Sequence, residues 1–276
     1  MRSFLKIFIK SITLLGFVAM CVVGLAFIAG IRNPIAQYER KNNVSPLQTY
    51  EEKRSEQEAK EMKEGLDILA KTGSCVGCNF NAKKGEEEKR DLYQAIQSAK
   101  SKGLAIDLSG AGLFMVKLAG VDLSNANLSG ADLLSADLTG ANLSGANLQG
   151  ACLEGAKLEG ANLSGADLTG AFLSLAKLHN ANLTNAILSK VVSVFNTRFL
   201  EANLTNADLT GATLMNATTV RAKFVGADLR GARIDTDFAK NADLTDAKLD
   251  NWFIRAFNKL TLWTIMVRLL IEQKIG

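Results

Sequence analysis

The sequence predicts an all-β solenoid, a parallel β-helix of four-sided coils, with one transmembrane helix ahead of it and helices at both flanks. Three observations carry this. From Leu108 to Leu188 a leucine recurs every five residues at 17 successive places without a gap. Two residues before each stands a small or branched apolar residue: Ile106, Ala111, Val116 and Val121, then alanine at all 13 places from Ala126 to Ala186. Third, residues 11–31 form a stretch of 21 residues without a charge. A period of five fits neither a helix at about 3.6 nor a strand at about 2, so the five-residue repeat must itself be the structural unit.

Taken in order, residues 1–10 are basic, with Arg2, Lys6 and Lys10. The uncharged stretch that follows, SITLLGFVAMCVVGLAFIAGI, spans roughly 31 Å as a helix at about 1.5 Å per residue, enough for a bilayer core. It is longer than the about 7–15 residues of a signal h-region, and Phe27 two places before Ala29 makes a poor cleavage pattern. The expectation is a retained single-pass anchor. Arg32, Arg40 and Lys41 balance the basic residues on the near side, so flanking charge does not orient it. The N-terminal amine and the signal-like layout place the N-terminus in the cytoplasm and the rest of the chain in a periplasm or lumen.

Residues 32–73 read as a polar linker, punctuated by Pro34 and Pro46, and then a charged helix with Met62, Leu66 and Leu69 on one face and Gly73 as its stop. Its charged surface suits a solvated stalk. A second helical pattern, EEEKRDLYQAIQSAKSKG, carries acids in its first turn and Leu92, Ile96 and Ala99 along one side, ending at Gly103.

Between the helices, TGSCVGCNF places Cys75 and Cys78 in a C-x-x-C spacing. A zinc site needs about four ligands, and no second cysteine pair or nearby histidine supplies them. A c-type haem needs histidine directly after the second cysteine, where Asn79 stands. A thioredoxin-like site needs a helix N-terminus in a βαβ pattern. A local disulfide or two packed thiols is the reading that demands least, and a disulfide suits the outer face of a membrane.

Within the repeats, mostly Asp or Asn separates the alanine from the leucine, and mostly Ser or Thr, then Gly or Asn, follows it. Each unit thus offers two inward positions two apart, as on a strand face, and then turn formers. If each unit makes one side of a square, four units close a coil, with leucines filling the interior and alanines the narrow space beside them. Coils stacked about 4.8 Å apart pair their backbones and stabilise one another. From Val194 the centres continue as Val194, Phe199, Leu204, Leu209, Leu214, Thr219, Phe224, Leu229, Ile234, Ala239, Leu244 and Leu249, displaced by one. One extra residue therefore enters near 189–193. The 29 units make about seven coils, or roughly 34 Å of stack. Asp237 falls at an inward position, and an unpaired buried carboxylate is costly. The cheaper arrangement turns Phe238 inward.

The segment ADLTGANLSGANLQG, residues 136–150, follows the A(D/N)LxG pattern almost letter for letter, and residues 104–250 resemble the pentapeptide-repeat family. The resemblance implies a right-handed quadrilateral β-helix. Related repeat proteins of photosynthetic bacteria often carry a C-x-x-C just ahead of the repeats. Here CNF fits one unit, with Cys78 at the alanine place and Phe80 at the leucine place, so the resemblance implies a capping element over residues 74–103.

Solenoid ends expose apolar core and strand edges and need covering. Residues 251–276 read as a capping helix, since their longest uncharged run, 260–267, is too short to span a bilayer. The alternative is a helix lying on a membrane, with Arg255, Lys259 and Arg268 towards anionic headgroups. Two outward apolar sets stand out. Phe114 and Leu134 share a unit position 20 residues apart, and are expected to receive the Leu92 and Ile96 helix; Phe172 and Leu175 form a second patch.

Lys and Arg against Asp and Glu number 17 to 12 over residues 1–104, 11 to 15 over 105–250, and 4 to 1 over 251–276. No broad basic face emerges, so nucleic acid is not an expected partner. With His179 the one histidine and Asp and Asn recurring with the repeat, no catalytic residues, cofactor or metal site are expected. The sequence therefore points to a non-enzymatic, membrane-anchored structural or protein-interaction scaffold, with another protein or a second copy of the chain as partner. Two alternatives remain: a DNA mimic acting on a type II topoisomerase, which the family resemblance implies for acidic cytoplasmic members, and a thiol–disulfide role for Cys75 and Cys78.

Overall fold

The computed structural model describes residues 46–81, 86–234, 238 and 242–250. The chain divides into residues 1–60 and 61–276. Among the described residues no helix is long and apolar enough to cross a membrane, and the expected anchor at 11–31 and terminal helix with Arg255, Lys259 and Arg268 lie outside them.

Helix α1 spans Pro46–Thr72 and α2 spans Glu86–Ser101. Proline suits the first turn of α1, where its missing N–H has no partner to lose. Gly73 ends the helix with a φ of 75°, its N–H donating to the Leu69 carbonyl at 2.8 Å.

Beyond α2 the backbone forms a parallel β-helix. Each outward residue pairs with the one 20 places on, as in Asn127 with Asn147 and Asn142 with Asn162, so four five-residue units make one coil. Most sides are single bridges; three lengthen into strands, β1 Val192–Ser193, β2 Thr213–Leu214 and β3 Arg233–Ile234, paired in parallel in that order.

One unit shows why the pentad works. In Ala141–Gly145 all five backbone N–H groups find acceptors. Ala141 N–H bonds the Leu138 carbonyl across the corner at 3.0 Å, Asn142 donates down to Val121 at 2.8 Å, and Leu143 and Gly145 donate up to Asn162 and Ser164 at 2.7 and 2.9 Å. The fifth, Ser144 N–H, has no backbone acceptor and bonds the Asn142 side-chain oxygen at 3.2 Å. Asp or Asn therefore recurs before the leucine because the corner needs its oxygen. The leucines Leu108 to Leu188 are fully buried, as are the alanines beside them to within 1%. Each buried leucine contributes roughly 1.5–3 kcal/mol.

The displacement of register lies later than residues 189–193. Pairing runs Phe172 with Val192, 20 apart, then Lys177 with Arg198, 21 apart, so the extra residue enters at 194–196. Ser193 and Thr197 are fully buried, whereas Val194 is 42% exposed and is not a centre. Hydrophobicity pointed to Val194, but polarity is satisfied inside. The Ser193 hydroxyl hydrogen-bonds Thr197 Oγ1, which donates to the Leu173 carbonyl at 2.6 Å. Phe238 is fully buried and its carbonyl accepts from the Thr219 hydroxyl at 2.6 Å; Asp237 lies outside the described residues.

At the other end the cysteine segment is itself part of a coil. Ser74 pairs with Asp107 and Asn79 with Gly112 in parallel, and the N–H groups of Cys75 and Phe80 donate to those residues' carbonyls at 2.8 Å. Cys75 and Phe80 thus take leucine places, 4% and 3% exposed. In α2, Leu92, Ile96 and Ala99 are buried in the same core as Ile106 and Leu108, and Lys100 Nζ donates to the Ser124 carbonyl at 2.8 Å. Phe114 stays 40% exposed and Leu134 half-buried, so neither is fully covered. The Phe114 N–H bonds the Asn81 side chain at 2.6 Å, and the stripe on α2 joins the buried core.

Candidate functional site

Parallel stacking sorts the outward side chains into four columns, one per face. The first holds Asp122, Asn142, Asn162 and Asn182, whose amides form a ladder: Nδ2 of each Asn donates to Oδ1 of the residue one coil below at 3.1, 3.3 and 3.1 Å. The second holds Asp107, Asn127, Asn147 and Asp167, then Ile187, Asp208 and Asp228. The third holds Gly112, Asp132, Cys152, Phe172 and Val192. The fourth holds Lys117, Asp137, Lys157, Lys177 and Arg198.

The carboxylates of these columns are occupied by their own corners. Burial pushes the Asp137 carboxyl up, but the hydroxyl and N–H of Thr139 and the charge of Lys157 outweigh it and hold it below the usual carboxylate range. Asp167 is held low in the same way: burial raises it, and Thr169 and Gln149 more than compensate. Asp228 is lowered first by the side-chain hydrogen bonds of Arg230. A carboxyl depressed by folding contributes stability above its unfolded value, near pH 4, and loses it as pH falls through its folded value. The melting temperature is therefore expected to hold from about pH 7 to 5 and to fall below about pH 4. In the double variant Asp137→Asn and Asp167→Asn, whose amides keep the corner acceptor as Asn142 and Asn162 do, that acid loss should be smaller. An unchanged acid profile in a thermal titration would count against this assignment.

Cys75 and Cys78 are joined by a disulfide with Cα atoms 5.5 Å apart. It lies against α1 at Gly65, where a Cβ would come within 3.3 Å of Cys75 Sγ and 3.4 Å of the Phe80 ring. Burial pushes the Cys152 thiol up, and it has no disulfide partner. Among the described residues no group of His, Cys, Asp and Glu could hold a metal ion.

Exposed large apolar side chains concentrate on the third column and the corner after it. Phe114 and Met115 are 40% and 55% exposed at its lower end; Phe172, Leu175, Val194 and Phe195 are 48%, 50%, 42% and 62% exposed higher up. Leu134 lies half-buried between them. In sequence Val194 and Phe195 do not stand out as exposed, because the five-residue register sets an inward centre at Val194. The extra residue is what pushes both outward, and the Val194 N–H is taken by the Ser174 hydroxyl of the coil below at 3.2 Å.

A family model for pentapeptide repeats matches residues 117–155, 156–192 and 197–235, eight copies in all, and the last break coincides with the inserted residue. Among solved structures the chain is similar to a pentapeptide repeat protein from the Arabidopsis thaliana thylakoid lumen, at 39% identity over 38% of this chain and 63% of that one, with a TM-score of 0.27. It thus spans less than two thirds of that protein. It is similar to HetL, a pentapeptide repeat protein involved in heterocyst differentiation regulation from the cyanobacterium Nostoc, at 29% identity over 52% and 79% of the two chains, with a TM-score of 0.21. QnrB1, a plasmid-mediated fluoroquinolone resistance protein, matches at 20% identity over 56% and 90%, with a TM-score of 0.31. No curated protein matches the chain. With the pentad register, the four-unit coil and the family match in agreement, residues 117–192 and 197–235 of this chain match the pentapeptide-repeat family and form a parallel, four-sided β-helix.

Proposed function

We propose that this chain is a non-enzymatic protein-interaction scaffold, held to a membrane by residues 11–31 with its β-helix on the outer face. The observation that carries the reading is the gathering of six of the exposed large apolar side chains on one column and its corner, while the other columns are mostly polar, with Ile187 the exposed apolar exception among their bridge residues. The carboxylates and amides serve corners and ladders, which explains their abundance without chemistry. Mimicry of DNA calls for a continuous acidic surface, and here Lys157, Lys177 and Arg198 stack on one face while Ile187 interrupts another. The disulfide, with Cys75 buried at a leucine place, suits a structural link better than an exchanging one.

The test is crosslinking and affinity capture of the full-length protein from its native membrane, with the compartment recorded by protease accessibility. The expected result is a chain that detergent but not high salt releases, crosslinked to a protein on the outer face. Release by salt alone removes the anchor. Recovery of a type II topoisomerase on the cytoplasmic face overturns the topology and favours mimicry.

A further inference from the structure

The scaffold reading gains a specific surface at the corner after Phe172. Leu175 occupies the turn place that most units give to Gly or Asn, and it does so with a φ of 63°. A leucine is disfavoured there by its Cβ, and it is also half exposed. Neither backbone nor core gains from it. Directly above, the Phe195 carbonyl accepts the Leu175 N–H at 2.7 Å, which stacks the two side chains on one corner. Phe172, Leu175, Val194 and Phe195 together leave on the order of 400 Å² of mostly apolar surface.

Around the corner stand Lys177 and, stacked above it, Arg198. Like charges placed directly opposite across a ladder repel. Lys157, one coil lower, has Asp137 at 3.5 Å; neither Lys177 nor Arg198 has an ion-pair partner among the described residues. Two outward cations without counter-charge thus adjoin an apolar corner.

We propose that this corner is the docking surface for a short amphipathic segment of another protein, with apolar side chains seated on Leu175 and Phe195 and carboxylates meeting Lys177 and Arg198. The proposal rests on the scaffold reading and names the class of its partner. A second copy is disfavoured by area, since a stable dimer needs about 800 Å² per partner. The chain's own terminal segments are disfavoured by charge: residues 1–45 carry six Lys and Arg against one acid, and residues 251–276 four against one. An anionic lipid surface would have to accept Asp132 and Glu154 from the same face and corner, whereas a peptide can be registered to avoid them.

The test uses the full-length chain and a fluorescein-labelled 14-residue peptide with Leu and Phe at helical i, i+3, i+4 and i+7 places and Asp and Glu elsewhere. A twin peptide carries Lys in place of every acid. By fluorescence anisotropy the acidic peptide is expected to bind at least tenfold more tightly than its twin. Leu175→Gly and Phe195→Ser should each weaken it about tenfold, and the double variant Lys177→Glu, Arg198→Glu should reverse the preference. Leu175→Gly relieves the turn, so its melting temperature should equal or exceed that of the parent, which separates docking from a folding role. Equal affinity for both peptides, or binding that survives Leu175→Gly and Phe195→Ser, overturns the proposal. So does binding to phosphatidylglycerol vesicles that Leu175→Gly abolishes while the acidic peptide binds neither protein. If membrane capture still yields the outer-face partner with Leu175→Gly, the scaffold reading stands and the corner assignment fails.

Discussion

Replacing Phe224 by Ala is expected to lower the unfolding free energy by about 3–5 kcal/mol. Its ring is fully buried in a row of three, 6.4 Å from Phe199 in an edge arrangement and 5.0 Å from Phe238 in a tilted one. Lower in the stack a coil is filled by leucines alone. Here a threonine, Thr219, takes a leucine place with its hydroxyl bonded to the Phe238 carbonyl, and three phenylalanine rings fill the interior. Each ring is held in place by its neighbour, so removing the middle one opens a cavity that the backbone ladder prevents from closing. Because a solenoid is stabilised coil by coil, the damage should be local: amides from about residue 199 upwards should lose hydrogen-exchange protection before those of the leucine run. Phe114→Ala, at a position 40% exposed, provides the comparison and should cost far less. Equal losses in urea unfolding would mean that the ring row does not organise these coils.

The contrast between these phenylalanines also shows what the sequence could and could not reveal. The leucine and alanine register was legible because the inward places admit almost nothing else, and the Asp and Asn places because the corner N–H needs an acceptor. The cost of burying Asp237 was enough to bring Phe238 inward. Reading by hydrophobicity failed where polar groups satisfy one another. Ser193 and Thr197 bond to each other inside, so the valine and phenylalanine between them face out, and the exposed corner was only half seen. The unit at Ser74 and Cys75 was missed for a similar reason, since a disulfide-bonded cysteine stands where leucine was sought. The five-residue step from Ser74 to Asn79 was the available signal.

That same unit makes Gly73 the most exacting position at the lower end of the stack. At a φ of 75°, a Cβ on Gly73 would lie 2.2 Å from the Ala105 carbonyl oxygen and 2.9 Å from Leu104 Cβ. The nearest obstacle is backbone, which cannot rotate away. The left-handed conformation alone costs a non-glycine residue about 1–2 kcal/mol. The clash adds to it, because the Gly73 carbonyl also accepts the Asp107 N–H at 2.8 Å and must stay close for Ser74 to pair with Asp107. Gly73→Ala is therefore expected to cost at least about 3 kcal/mol and to part the cysteine segment from the first coil. The strand edges at Asp107 and Gly112 would then be open to another chain, so concentration-dependent oligomers should accompany the loss. Gly77→Ala separates the two causes: Gly77 has a similar φ of 66°, but nothing lies within 4 Å of its Cβ position. It should show the conformational cost alone and remain unaggregated by light scattering. If both variants lose the same stability and neither associates, the contact with residues 104 and 105 does not hold the cap, and closure of this end must rest on α2.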